Sequence, residues 1–252
     1  MGLAIAMVLA VVAMPVLSNR RRAAHKAAAM TKMRVLGGAI GTYVTQSNGL
    51  LPIEDAGGDD TWNRIAKSDT SDVWYNALPR AAGKKPASDY SSNPASFYTE
   101  ESALFVPGAR YPDKKKLHNP MFAIAFNTKL EHAGPNGEKE RTKMSDITKP
   151  ELTVALLEQG LPNENRSSPL QSKNDYDGKP KGSAKSFIGR YDGQGVICFL
   201  DGHAELLKVE DLLTPHGTFP FPQTKVVWTR TPEENPNKDH AGKDHSEKKK
   251  KK

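Results

Sequence analysis

Asp201, His203 and Glu205 alternate within Asp201-Gly202-His203-Ala204-Glu205, and alternation in an extended segment places three potential metal ligands on one face. Three ligands on a single strand are too linear to close a tetrahedral site without partners from elsewhere, so the expected role is a solvated strand face beside an Asp-Gly turn. Asn174-Asp175-Tyr176-Asp177-Gly178 has the oxygen-rich character of a calcium loop. Lys179, Pro180, Lys181 and Lys185 follow where a bidentate Glu is needed, and a polar turn is expected instead. His118, His132 and His216 stand in Pro/Gly/Asn-rich stretches without ligand spacing. No nucleophile is paired with a base in any recognisable pattern, so the chain is expected not to be an enzyme: no catalytic residue, no metal and no cofactor. Cys198, the single cysteine, lies inside the apolar run Val196-Ile197-Cys198-Phe199-Leu200 and is expected as a buried free thiol.

The elements that would carry these residues follow from pattern and punctuation. Val196 to Leu200 is a β-type run bounded by Asp192-Gly193 and Asp201-Gly202, with Ala204-Glu205-Leu206-Leu207 after it. That spacing predicts a β-hairpin on an Asp-Gly turn, tight or widened by His203. Residues 153–157 and 120–126 are further strand candidates. The 18 Pro and 20 Gly, mostly after residue 48, predict a loop-rich body.

The remaining long element is N-terminal. Residues 1–19 hold no charged side chain, and Arg20-Arg21-Arg22 follows directly. Leu3, Ile5, Val8, Leu9, Val11, Val12, Pro15, Val16 and Leu17 form an apolar rod of about 28 Å as a helix, close to the ~30 Å of a bilayer's hydrocarbon. Beyond the arginines the pattern becomes one-sided, with Met30, Met33, Leu36 or Gly37, Ile40 and Val44 at spacings of three and four. Ser47-Asn48-Gly49 then supplies a left-handed cap, so one helix is expected to end near residue 47 and to project beyond the body, its last turns weakened by Gly37, Gly38 and Gly41. A cleaved signal peptide is disfavoured because nothing basic precedes the rod. The arginines on its C-terminal flank nonetheless favour a cytoplasmic body under the positive-inside rule.

The net charge of +7 does not describe the body. Six basic residues fall in 20–34 and five lysines in 248–252, and removing those eleven from +7 leaves about −4. The basic helix lacks interleaved aromatics, so no nucleic-acid partner is expected.

Four segments, in order, carry a family resemblance. Tyr43-Val44-Thr45-Gln46-Ser47-Asn48-Gly49-Leu50-Leu51-Pro52 closes the helix as in type IV pilin-like proteins, particularly type II secretion pseudopilins, although Gln46 and Ser47 stand where an acid is common there. Asp72-Val73-Trp74-Tyr75-Asn76-Ala77-Leu78-Pro79 resembles that family's "WYNALLP" segment, and 149–158 resembles its "xPSxTVLxxE" strand. Residues 189–207 are similar to the prepilin-type domain named for its H-x9-DG motif: Arg190 is followed by Tyr191 at the His position, then nine residues, then Asp201-Gly202, His203 and Glu205. The basic leader, its Gly and the Phe-Thr-Leu-Ile-Glu step of family precursors are absent from this sequence, so an upstream start with a leader is expected, and it would reverse the orientation conflict.

The fold expected is α+β: a long N-terminal helix, its apolar half protruding, packed on a small antiparallel sheet. Residues 1–48 are read as the assembly helix, 49–214 as a pilin-like body, and 215–252 as a Pro-rich, then Lys-rich tail largely without order, in which Phe219, Phe221, Val226, Val227 and Trp228 are able to pack back on the body and disorder is expected from Thr231 on. The resemblance implies a subunit held in the bacterial inner membrane by one pass, with its body in the periplasm. Its partners would be membrane lipid, other pilin-like subunits of a periplasmic filament and the secretion assembly platform. The alternative is a non-polymerising single-pass protein whose body binds an envelope ligand or partner.

Overall fold

The computed structural model describes residues 2–57, 60–113, 118–133 and 139–238, and their side chains except at 2–17, 132, 133 and 139. The apolar rod, from Leu3 to Leu17, and the side chain of His132 therefore lie outside the described side chains. Lys114 to Lys116 and the pentalysine end lie outside the described residues altogether.

Helix α1 runs unbroken over Gly2–Gln46, 45 residues, or about 67 Å at ~1.5 Å per residue. It ends where the sequence predicts. Asn48 (φ 54°) and Gly49 (φ 84°) turn left-handed, and the Gly49 N–H donates to the Val44 carbonyl at 2.9 Å. Two short helices follow, α2 (Trp62–Ile65) and α3 (Trp74–Ala81), the second lying in the WYNALP segment. Then come β1 (Ile124–Asn127), the small pair β2 (His132–Ala133) and β3 (Lys139–Glu140), β4 (Val154–Glu158), β5 (Lys181–Gly182), β6 (Gln194–Phe199), β7 (Ala204–Lys208) and the single turn α4 (Val209–Leu212).

The main sheet has the order β5-β1-β4-β6-β7. Three of its four pairings are antiparallel, but β1 and β5 run parallel, so the sheet is mixed rather than purely antiparallel as expected. The physical reason is that the chain between β4 and β5 crosses to the far side of β1 instead of returning by a hairpin. Both faces of the sheet are covered. Met33, Leu36 and Ile40 of α1 meet Leu156, Val196 and Cys198 on one face, while Val154, Leu157, Ile197 and Phe199 meet Leu212, Phe219 and Trp228 on the other. A strand buried on both sides reads as a continuous apolar run, as β4 does. A register shift between Val154 and Leu156 lets the neighbours Ala155 and Leu156 both join the helix-side core.

Residues 215–238 correct the expected tail boundary. Val227 pairs with Thr153, its carbonyl accepts the Val154 N–H at 2.8 Å, and Trp228 is fully buried. The order extends past Thr231, because Gln223 Nε2 donates to the Glu234 carbonyl at 2.9 Å and Asn237 Nδ2 to that of Phe219 at 3.0 Å. The prolines exclude regular structure here without preventing apolar side chains from burying.

Candidate functional site

The segments singled out in the sequence become joints, two of them between α1 and the body and a third within the body between β4 and the loop before β6. The first joint is steric. A Cβ on Gly37 would lie 2.5 Å from Cys198 Sγ and 2.5 Å from the Gly202 carbonyl, so only glycine lets α1 touch the β6–β7 hairpin. The hairpin is of the widened kind: Phe199 N–H donates to the His203 carbonyl at 2.9 Å, Gly202 N–H donates to the Phe199 carbonyl at 3.0 Å, and Gly202 has φ 94°. Cys198 is a buried free thiol whose pKa burial pushes up to about 12, which keeps it protonated and unreactive at neutral pH.

The second joint is polar and ties the end of α1 to α3. The Tyr43 hydroxyl donates to Asp72 Oδ1 at 2.9 Å and accepts from Arg141 Nη2 at 2.6 Å, while Arg141 Nη1 reaches Asp72 Oδ2 at 3.3 Å. Four residues on, Asn76 is buried and bridges three loops: its amide nitrogen donates to the Ile65 and Thr70 carbonyls and its oxygen accepts the Ser88 N–H.

The third joint contains the motif residues Arg190 and Tyr191. Glu158 closes the apolar strand β4 at 0% exposure and accepts from the Tyr191 hydroxyl at 3.0 Å, the Val196 N–H at 2.8 Å and Arg190 Nη1 at 3.4 Å. Arg190 also forks onto Glu164 and donates to the Gln159 carbonyl at 2.6 Å. Burial pushes the Glu158 carboxyl above the usual carboxylate range, and the neighbouring arginine, amide and phenol only partly oppose it. Tyr191, at the family's His position, thus serves as a buried hydrogen-bond donor, with Asp192 (φ 53°) and Gly193 (φ 81°) forming the turn into β6.

Asp201, His203 and Glu205 do come together on the surface. His203 Nδ1 lies 2.6 Å from Asp201 Oδ1, Nε2 lies 3.6 Å from Glu205 Oε1, and the imidazole stacks on Phe199 at 4.4 Å. Asp201 also accepts the His203 N–H at 3.0 Å, so its carboxylate shapes the turn. Among the described residues no cluster of His, Cys, Asp or Glu is arranged to hold a metal. In the segment considered as a calcium loop, Asp175 and Asp177 accept the backbone N–H groups of Ser172 and Lys179, which is the chemistry of a polar turn.

The docked face of α1 comprises Ala29, Met33, Leu36, Gly37, Ala39, Ile40 and Tyr43, whereas Met30 and Val44 are only half-buried, so the stripe lies slightly around the helix from the predicted one. Lys32 pins the middle of the helix, donating to the Ser102 carbonyl at 2.9 Å and pairing with Glu100 at 3.1 Å. Residues 18–24 are exposed throughout. Among the described residues no helix is long and apolar enough to cross a membrane, and the side chains of residues 2–17, most of the uncharged run 1–19, lie outside the described side chains. A separate cleft of about 320 Å3 is lined by the apolar Leu51, Ile53, Val73, Phe126 and Leu130 and by charged residues that include Glu54 and Arg141.

No family model matches the chain, and no curated protein or solved structure does either. Function must therefore be argued from these joints and from what they leave exposed.

Tyr43, Asp72 and Glu158 lie in segments singled out in the sequence, without a role assigned to them, whereas Arg141 and Glu164 were not selected. Glu158 had a signal: a carboxylate closing a fully apolar run requires a buried partner. Arg141 had none, since it lies 98 residues from the tyrosine it holds.

Proposed function

We propose that the chain is a pseudopilin-like structural subunit, pilin-like in fold, held in the bacterial inner membrane by its first helix and assembling with copies or relatives into a periplasmic filament on a secretion platform. The observation that carries this reading is the division of α1. The helix is continuous over Gly2–Gln46, yet its buried contacts with the body begin at Ala29, and the residues before Ser18 are apolar in sequence. A helix that packs along only part of its length has a face and an end to offer to lipid or to other helices, and apolar burial there supplies the association energy at about 25 cal/mol per Å2. The joints at Gly37, Tyr43 and Lys32 support the same reading, since they would transmit position from the helix to the body.

Removing residues 2–19 is expected to release the protein from the membrane fraction into the soluble fraction. Continued sedimentation of the truncated chain with membranes would contradict the anchor. The cleft lined by Leu51 and Phe126 favours the second reading, a non-polymerising membrane protein that binds an envelope ligand. Co-purification of other pilin-like subunits with the full chain distinguishes the two, because only the filament reading predicts it.

A further inference from the structure

The end of the body nearest the uncharged run is built from three loops gathered around the first exposed turns of α1. A Cβ on Gly108 would sit 2.9 Å from His25 Nδ1, so the loop at 107–110 abuts the helix. Tyr191 and Asp192 line one cleft of about 280 Å3 with Asn19, Arg22 and Lys26, and Arg22 lies 3.7 Å from Asp192. A second cleft, about 340 Å3, joins Gly108 and Arg110 to Glu164, Arg166 and Arg190.

The charges here are unequal. Arg20, Arg21, Arg22, Arg110 and Arg166 are exposed and Lys26 is half-exposed. The acidic side chains lining the two clefts are Glu164, whose carboxylate is engaged by buried Arg190, and Asp192, whose exposed pairing with Arg22 is weak. His25 is five residues beyond Arg20, only about 8 Å along the helix axis, so the loops and the arginine run fall within roughly one Debye length of each other. The one aromatic residue in either lining, Tyr191, is buried with its hydroxyl on Glu158, which leaves no stacking platform for a base.

We propose that Arg20, Arg21, Arg22 and Lys26 of α1, together with Arg110 and Arg166 of the adjoining loops, form a basic collar that binds the phosphate headgroups of an anionic lipid surface and holds the body against it. This rests on the membrane-anchored reading above and adds which face of the body meets the bilayer and which lipid it selects. The arginines recognise phosphate by paired N–H donors as well as by charge.

The test uses the full chain in phosphatidylcholine vesicles with and without a phosphatidylglycerol fraction, labelled at Asn165→Cys beside the collar or at Thr45→Cys, about 37 Å beyond Arg20 and about 30 Å beyond His25 along the helix. The buried Cys198 does not compete for the label. Energy transfer to a headgroup dye is expected to be strong at Asn165→Cys only in the anionic vesicles, to fall in high salt, and to be weak at Thr45→Cys. Arg110→Gln with Arg166→Gln should weaken docking by about fivefold per arginine, on the order of 25-fold together, without loss of co-flotation. Complete co-flotation with transfer indifferent to lipid charge and to the double variant would overturn the collar and leave the anchor standing. Failure to float with either vesicle would overturn the anchored reading and the collar with it.

Discussion

At the scale of single residues, Glu158 shows how the body keeps its motif loop in place. A buried carboxylate at the end of β4 collects a phenol, an amide and a guanidinium from the segment 190–196, so one side chain fastens the loop to the strand beside it. Burial outweighs those donors and raises the Glu158 pKa above its ordinary 4.5. A carboxyl whose pKa is higher in the folded than in the unfolded chain contributes stability that is complete below the unfolded value and lost as pH rises through the folded one. Relative to the non-titrating Glu158→Gln variant, the natural protein should therefore be at its best near pH 4 and lose ground above pH 4.5, by at most about 1.4 kcal/mol per pH unit. Urea unfolding of both proteins from pH 4 to pH 8 measures the difference. A gain for the natural protein over that window would mean the donors dominate.

At the scale of elements, the glycines of α1 are not equivalent. All three are expected from propensity to weaken the helix, but a Cβ on Gly37 meets the hairpin while one on Gly38 or Gly41 meets nothing within 4 Å. Gly37→Ala should destabilise the protein by about 1–3 kcal/mol through overpacking against Cys198 and Gly202, and Gly38→Ala should stabilise it by about 0.5–1 kcal/mol. Thermal unfolding of the two variants should shift in opposite directions. A shared sign would show that the hairpin yields to the helix. The same pair marks the boundary of what the sequence discloses. The length and end of α1, the hairpin at Asp201-Gly202 and the strands around 124 and 154 were legible because apolar period and turn chemistry are local. The parallel β1–β5 pair was not, since β5 spans only Lys181–Gly182 and carries no apolar pattern. The apolar residues Phe219, Val226, Val227 and Trp228 marked the tail as able to pack back on the body, but an irregular, proline-punctuated segment has no periodicity to show that it does so beneath the sheet. Of the candidate site, Arg190 and Tyr191 were singled out by motif, but their role emerged only when Glu158 and Glu164, distant in sequence, were found against them.

At the scale of the whole molecule, the chain is a mixed sheet covered on both faces, with a helix whose buried contacts with the body begin at Ala29 and whose turns at 18–24 are exposed. The polar and steric joints couple the docked part of the helix to the motif loops, and the exposed turns before it are left to other partners. Assembly through α1 is the central claim, and proximity between helices tests it most directly. Cysteines placed at Ala24 and Ala27, both exposed, should cross-link between copies in intact cells into a ladder of multimers, while Thr61→Cys on the body should not. A ladder confined to the helix positions is the predicted result; monomers alone under the same oxidation would contradict assembly through this helix.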